Sequence, residues 1–597
     1  MQGKRRACAV GLLSLLSALR CAAQAQEPQT EPAPTAATSP AGPEAPAVPA
    51  ALALPAAPAE AAEPAEPAAP AVTATAAAPA ELTVGRFVVE GGDARLAAYT
   101  DRLLATLQGR PVTLAAIDAA AAKIQQRYVD RGHFLVLVRA PPQEMPAGGD
   151  FHLQVIYRAI RSVDVEGIPK KYRARVLAFF APIIGRTKLT RARFQRAVLL
   201  AGSLPSLNLK STLEEAETDD AINLVLTGEY RAFTSVISVD NAMPAIVGRN
   251  SATLFSAYNP GARLVDQVSV ALSAAADADG LGRRSPRRLL ETALRAPIGI
   301  SGGELDLRYT WSALNPTSPS NASDAVNGLL DTNSNYKRAA IRASYPVIKI
   351  RYTSLVATAG FDATSLTQSA NPFAASLFND QLRVLRLGLA VDHVFEIKTS
   401  ASLGVDLSRG IHGLGSRSAS EATAESPLSQ TGADDSFTKW EGHGSVHQAL
   451  PGKFAADLQV RAQYVAKHPL LLAEKFTLGG PTDLSAYDFA NFSGDRGWVA
   501  RAELQNTQTW DHGKATSLAQ GYVFAARGEV VNLETTAMLP RTELGSAAGV
   551  GMRASFGRTG ASAGPVDVSG ELARQLGAES TPGTSHWRVN FSVSVHF

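Results

Sequence analysis

Cysteine is almost absent: Cys8 and Cys21 are the only two, and both fall in the first 25 residues. That segment places Lys4, Arg5 and Arg6 before an apolar stretch from Ala7 to Leu19 and the small residues Ala23, Gln24 and Ala25. Residues 1–25 therefore read as a cleaved export signal, and the mature chain is expected to hold neither a disulfide nor a thiolate metal site. Beyond the signal no run approaches 18 apolar residues, which excludes a membrane-spanning helix. Charge of one sign is also missing, with 57 basic against 54 acidic residues and no basic stripe interleaved with aromatics, so nucleic acid is not an expected partner. Ten histidines are scattered without a His-Glu-x-x-His pair, and there is no Gly-x-Ser-x-Gly elbow, Walker loop or placed dinucleotide fingerprint. No metal, nucleotide or other cofactor is expected, and no enzyme activity.

Residues 26–80 are almost entirely Ala, Pro, Glu and Thr, a composition that cannot bury a core. Proline at this density favours an extended, semi-rigid periplasmic spacer and interrupts every candidate amphipathic helix.

What the chain does have is alternation. In the last eleven residues Trp587, Val589, Phe591, Val593, Val595 and Phe597 are apolar, while Arg588, Asn590, Ser592, Ser594 and His596 between them are polar. Such a segment is a strand with one greasy face, long enough to cross a bilayer when tilted. One alternating segment is equally compatible with the edge of a soluble sandwich. From Glu229 to Phe597, however, sixteen such segments can be placed, including Leu305 to Trp311, Leu385 to Val391, Leu458 to Tyr464 and Trp498 to Leu504. Connections alternate between short ones (259–262, 348–350, 451–453, 512–514) and long ones (313–334, 410–435, 468–496). Outer-membrane barrels sort their turns and loops in this way. Residues 229–597 are therefore expected to form a 16-stranded antiparallel barrel with Arg308, Arg386, Arg461, Arg501 and Arg553 lining a polar, water-filled lumen. Trp587, Phe591 and Phe597 would mark its assembly signal.

Ahead of the barrel, the order β-α-α-β-β occurs twice. In residues 81–158 a strand from Val84 to Glu90 precedes a helix capped by Asp93, with Leu96, Tyr99, Leu103 and Leu107 on one face. A second helix opens at Thr113 with Ile117, Ala121, Ile124 and Tyr128 at helical spacing, followed by strands from His133 to Arg139 and from Phe151 to Tyr157. Residues 159–228 repeat the order.

This order, with "RGHFLVLVRAPPQEM" from Arg131 to Met145, resembles the POTRA domains of two-partner secretion transporters. The connection between strands eleven and twelve is more specific: Phe476, Gly479, Gly480, Tyr487, Gly494, Asp495, Gly497 and Glu503 fall where transporters of the ShlB/FhaC/HecB type carry like residues. Ser238 to Asn250 at the first hairpin also resembles that family. The resemblance implies that this sixth loop folds into the lumen, where a tip arginine pairs with an aspartate of a Phe-x-Asp-x-Gly motif on strand thirteen. Here the tip is Leu484-Ser485-Ala486-Tyr487 and the strand motif is Phe524, Ala526 and Gly528, so both charges are missing together. Losing one member of a buried pair costs about 3–5 kcal/mol whereas losing both is close to neutral. The loop is then expected to be held more loosely, or by Tyr487 and Asp488 alone.

The resemblance further implies an outer-membrane pore that secretes or activates a large haemolysin- or adhesin-type exoprotein, with the POTRA domains in the periplasm. Its partners would be that exoprotein, outer-membrane lipid and the barrel assembly machinery. An edge strand carrying Phe134, Leu135, Val136, Leu137 and Val138 would take up the unfolded cargo by β-augmentation, and proline at Leu137 would remove an edge donor. A passive porin and a barrel insertase remain as alternative readings.

Overall fold

The computed structural model describes residues 81–597 apart from 145–147, 219, 262–263, 277–281, 283–284, 317–331, 371–374, 512–514, 535–539, 559–563 and 577–585. The expected export signal and spacer lie outside the described residues. Two compact units make up the chain, an N-terminal α+β unit and a barrel.

The first module of the α+β unit comprises β1 (Glu81–Thr83), β2 (Arg86–Glu90), α1 (Ala94–Ala105), β3 (Pro111–Thr113), α2 (Leu114–Asp130), β4 (Val136–Arg139) and β5 (Asp150–Tyr157). Asp93 and Thr113 cap α1 and α2, accepting from the Arg95 and Ala116 N–H groups. Along α1 the buried row is Leu96, Thr100 and Leu104, with Leu103 and Leu107 only packed against its margin. Thr100 can enter this row because its hydroxyl donates to the Leu96 carbonyl at 3.1 Å. The three-stranded sheet runs β2-β5-β4, with β2 parallel and β4 antiparallel to β5, so β4 is an edge. The small β1–β3 pair is too short for periodicity to reveal.

β6 (Ala159–Glu166), α3 (Lys170–Phe180), α4 (Arg191–Gly202), β7 (Leu207–Glu215) and β8 (Ala221–Tyr230) repeat the topology as a β6-β8-β7 sheet. The two modules touch where Phe134 packs on Phe194, ring centroids 5.0 Å apart, and where the Arg191 N–H donates to the Gly132 carbonyl at 2.9 Å.

The barrel strands are β9 (Phe233–Asp240), β10 (Ser251–Tyr258), β11 (Gln267–Ala275), β12 (Arg287–Ile298), β13 (Gly303–Leu314), β14 (Thr332–Ile350), β15 (Thr353–Ala370), β16 (Ala375–Phe395) and β17 (Thr399–Gly410). They continue with β18 (Thr438–Ala449), β19 (Phe454–Val465), β22 (Arg496–Asp511), β23 (Ala515–Val531), β24 (Thr542–Arg558), β25 (Val566–Gln575) and β26 (Trp587–His596). Between β19 and β22 a small hairpin, β20 (Phe476–Leu478) with β21 (Phe492–Gly494), belongs to the sixth loop. All sixteen wall strands pair antiparallel with their neighbours and the ring closes by β26 on β9. Side chains alternate as the sequence requires: Leu385, Leu387 and Leu389 stand exposed on the outside, as do Val589 and Phe591 on the closing strand.

Closure is reinforced beyond the ladder. The Asn241 amide donates to the Val589 carbonyl and accepts from the Phe591 N–H, both at 2.8 Å, which continues the β9–β26 seam with a side chain. At the other end Phe597 exchanges backbone hydrogen bonds with Ser235.

The interior differs from a uniformly water-filled channel. Toward the ends of the strands that carry the long loops, Leu289, Leu314, Tyr336, Leu366, Phe378 and Leu382 point inward and pack with Leu470, Leu471 and Leu472 of the sixth loop into an apolar core. Alternation marks the outer face, but it does not reveal that a loop comes inside to meet apolar side chains on the inner face.

Candidate functional site

The site is the lumen together with the sixth loop, residues 466–495. Leu470 to Leu478 are buried without a break, so the loop lies inside the wall. Gly479 and Gly480 turn it at φ of 115° and 95°, a backbone that L side chains rarely adopt, and a Cβ at Gly479 would lie 2.2 Å from the Asp488 carbonyl. β20 and β21 then pair Phe476 with Gly494 and Leu478 with Phe492.

The wall beneath the loop is stripped of side chains. A Cβ on Gly497 would lie 2.4 Å from the Phe476 ring, one on Gly528 2.9 Å from Leu478, and one on Gly545 2.6 Å from Leu484. Phe476, Leu478, Leu484 and Ala486 therefore sit directly on the backbone of β22, β23 and β24, in one buried cluster with Val499, Phe524 and Ala526. Gly528 serves as floor, and Ala526 offers a methyl to this cluster where the family motif would place a carboxylate.

Ser485 is fully buried. Its hydroxyl receives a hydrogen bond from Arg501 Nη1 at 3.1 Å, and its carbonyl receives one from Asn590 Nδ2 at 2.9 Å. Arg501 projects from β22, donates to Glu571 at 2.6 Å and Glu503 at 2.8 Å, and lies over the Phe524 ring at 3.8 Å. Arg553 joins the same set, bridging Glu503 at 2.9 Å and covering Tyr522. The wall thus supplies the guanidinium and the tip supplies the acceptor. The loop is consequently held firmly, and by more than Tyr487 and Asp488. Tyr487 packs on Phe492, while Asp488 pairs with Arg588, whose Nη2 also donates to the Asn241 and Ala242 carbonyls. No signal in the sequence announced Arg501 as the partner of Ser485, because β22 carries it sixteen residues away on a separate element.

Three further anchors fix the base. Glu474 pairs with Arg386 and with Lys439, each at 2.8 Å, and Arg386 also binds Asp362 at 2.6 Å. Asp483 pairs with Arg461, which lies over the Phe476 ring. Asp495 accepts the Leu470 N–H at 2.7 Å, tying the loop's ends together, and the Leu533 N–H at 2.8 Å from the connection that follows β23. Arg308, away from the loop, pairs with Glu291 and Asp306. Arg308, Arg386, Arg461, Arg501 and Arg553 each carry a carboxylate partner.

On the first module, β4 begins only at Val136, and Phe134 and Leu135 are buried ahead of it. Those two residues are therefore not part of an open edge; Phe134 is occupied by Phe194. The Arg158 N–H donates to the Leu135 carbonyl, whereas the Val138 N–H donates to Gln125 Oε1 of α2 at 3.0 Å. Val138 thus points its donor to the open side and Leu137 points its own toward β5. Proline at Leu137 would break the internal ladder rather than the edge. A groove of about 510 Å³ between α2 and β4, bounded by Leu114, Asp118, Ala121, Gln125 and Arg139, borders that edge.

The model of the haemolysin secretion/activation protein family ShlB/FhaC/HecB matches residues 230–552, more than half of the chain. The chain belongs to this family. A ShlB-type POTRA domain model matches residues 82–157. Among solved structures, CdiB from Escherichia coli is 18% identical with a TM-score of 0.64, covering 89% of this chain and 93% of its own. CdiB from Acinetobacter baumannii is 15% identical at a TM-score of 0.55, covering 88% and 91%. No curated protein matches the sequence. The family is one of outer-membrane transporters with periplasmic POTRA domains, and that is the class and location of this protein.

Proposed function

We propose that this transporter exports a large partner exoprotein in unfolded form, captured on the β4 edge and passed through the lumen once the sixth loop withdraws. The observation that carries the reading is how the loop is held. Its inserted part meets the wall through side chains, the Glu474, Asp483 and Asp488 ion pairs and Ser485, and not as an added strand of the ladder. Such contacts can be exchanged for contacts with a passing chain without unzipping the barrel. A packed lumen also argues against a permanently open porin. The drive in this reading is folding of the exported chain outside, which removes exported segments from the equilibrium.

The capture step is tested on the full-length protein in proteoliposomes, with the N-terminal domain of a large exported protein as ligand, taken from an adjacent reading frame where that frame encodes one. Val138→Pro removes the open-edge donor and is expected to weaken binding by about tenfold or more while the barrel stays inserted. Gln125→Ala frees that donor and is expected to preserve or strengthen binding. Wild-type binding by a folded Val138→Pro variant overturns capture at this edge.

A further inference from the structure

On its lipid-facing side the wall carries a cleft of about 470 Å³ spanning β17 to β23. Its floor is small, Gly442 opposite Ala462, and its sides are the rings of Trp440, Tyr464 and Trp498. These rings are outward, with Trp440 and Tyr464 half exposed. The external end of the cleft is basic. Arg496 lies over the Tyr464 ring at 4.9 Å and donates to the Val465 and Ala466 carbonyls at 2.6 Å each. That occupies two of its five donors and leaves three. Arg409, opposite Thr438 and one step beyond the Leu407–Trp440 pair, stands at the same end and donates to the Thr438 hydroxyl.

The inner face differs. Arg308, Arg386, Arg461, Arg501, Arg553 and Arg588 all have carboxylates within ion-pair distance. Among the described residues Arg409 and Arg496 have none, although they stand just beyond the aromatic belt where headgroups lie. A cation placed at that depth without a protein counter-ion takes one from the membrane. We propose that the cleft seats an acyl chain of a phosphorylated lipid of the external leaflet, whose headgroup phosphates rest on Arg409 and Arg496. The two arginines are three strands apart, roughly 14 Å across the ladder and about 7 Å along it, a separation that their long side chains can close onto two phosphates of one headgroup. Glu529, level with Trp498 and so below both arginines, faces the hydroxyl and amide donors of that headgroup.

The test titrates detergent-purified full-length protein with bisphosphorylated lipid A, with its phosphate-free form and with inorganic phosphate, and reads the midpoint of the heat-induced gel-mobility shift. The wild type is expected to be stabilised by the bisphosphorylated lipid at the lowest concentration. Arg409→Gln with Arg496→Gln is expected to need about 25 times more of it, about fivefold per charge. Gly442→Leu fills the cleft where a Cβ would meet only the Gly404 carbonyl at 3.9 Å, so it folds, and it should bind the lipid at least tenfold more weakly with both arginines intact. If the double variant or Gly442→Leu titrates like the wild type, the site is wrong. Equal stabilisation by inorganic phosphate overturns it as well, by showing an anion site without a lipid.

Discussion

Ser485 and Ala526 show how a buried charge pair can be lost without loosening the element it held. Ala526 is packed against the loop's apolar side chains, and the cation acting on the tip comes from Arg501 instead. Arg501→Ala would leave Glu571 with the Tyr522 hydroxyl as its remaining donor and Ser485 without its guanidinium. A loss of about 3 kcal/mol is expected, read as a lower heat-modifiability midpoint, together with larger single-channel conductance as the tip comes free. An unchanged midpoint and conductance would show that Arg501 does not hold the loop. At this scale the sequence was partly legible. Alternation placed Arg308, Arg386, Arg461, Arg501 and Arg553 on the inner face, because side-chain direction is a local property. Their partners were not legible, since Glu571 lies 70 residues from Arg501 and Glu474 lies 88 from Arg386.

The sixth loop and its glycine floor behave as one element. Gly545→Val would push a branched side chain into the space of Leu484 and Phe492, and a shift of the tip by more than a methyl width is the expected result. Crosslinking between cysteines placed at Ser485 and Asn590, whose backbone and side chain are now 2.9 Å apart, should fall severalfold in that variant. Undiminished crosslinking would mean that the floor tolerates a side chain. Another external loop, residues 411–437, carries a pH-dependent tie. His412 Nδ1 lies 3.0 Å from the buried Asp435 carboxylate, whose hydrogen bond and then charge raise the imidazole above its ordinary value. A raised folded-state value means the tie is complete below about pH 6.5 and is lost as pH rises through the folded value. Protease nicking within 411–437 should accelerate over that rise and become independent of pH there in His412→Ala. The strands and helices around these loops were legible because capping residues and period-two alternation are local. The inward path of the sixth loop was visible only through family resemblance, because nothing in its own periodicity tells inside from outside.

At the scale of the whole molecule, the sixteen strands and the periplasmic-side turns follow from alternation and connection length, and the repeated α+β modules from capping residues and helical spacing. The apolar plug inside the barrel does not, since it depends on which loop enters. That plug has a consequence in electrical terms. Among the described residues, the ion pairs between loop and wall have the acid on the loop, Glu474, Asp483 and Asp488, and the base on the wall, Arg386, Lys439, Arg461 and Arg588. Withdrawing the loop therefore does more than widen the channel: it uncovers a cationic lining that is neutral while the loop is in place. In a planar bilayer under a salt gradient, a variant with Glu474→Gln, Asp483→Asn and Asp488→Asn should conduct more and show a reversal potential displaced toward that of the anion. A displacement toward the cation would contradict this polarity, which otherwise makes an acidic stretch of exported chain the natural substitute for the loop.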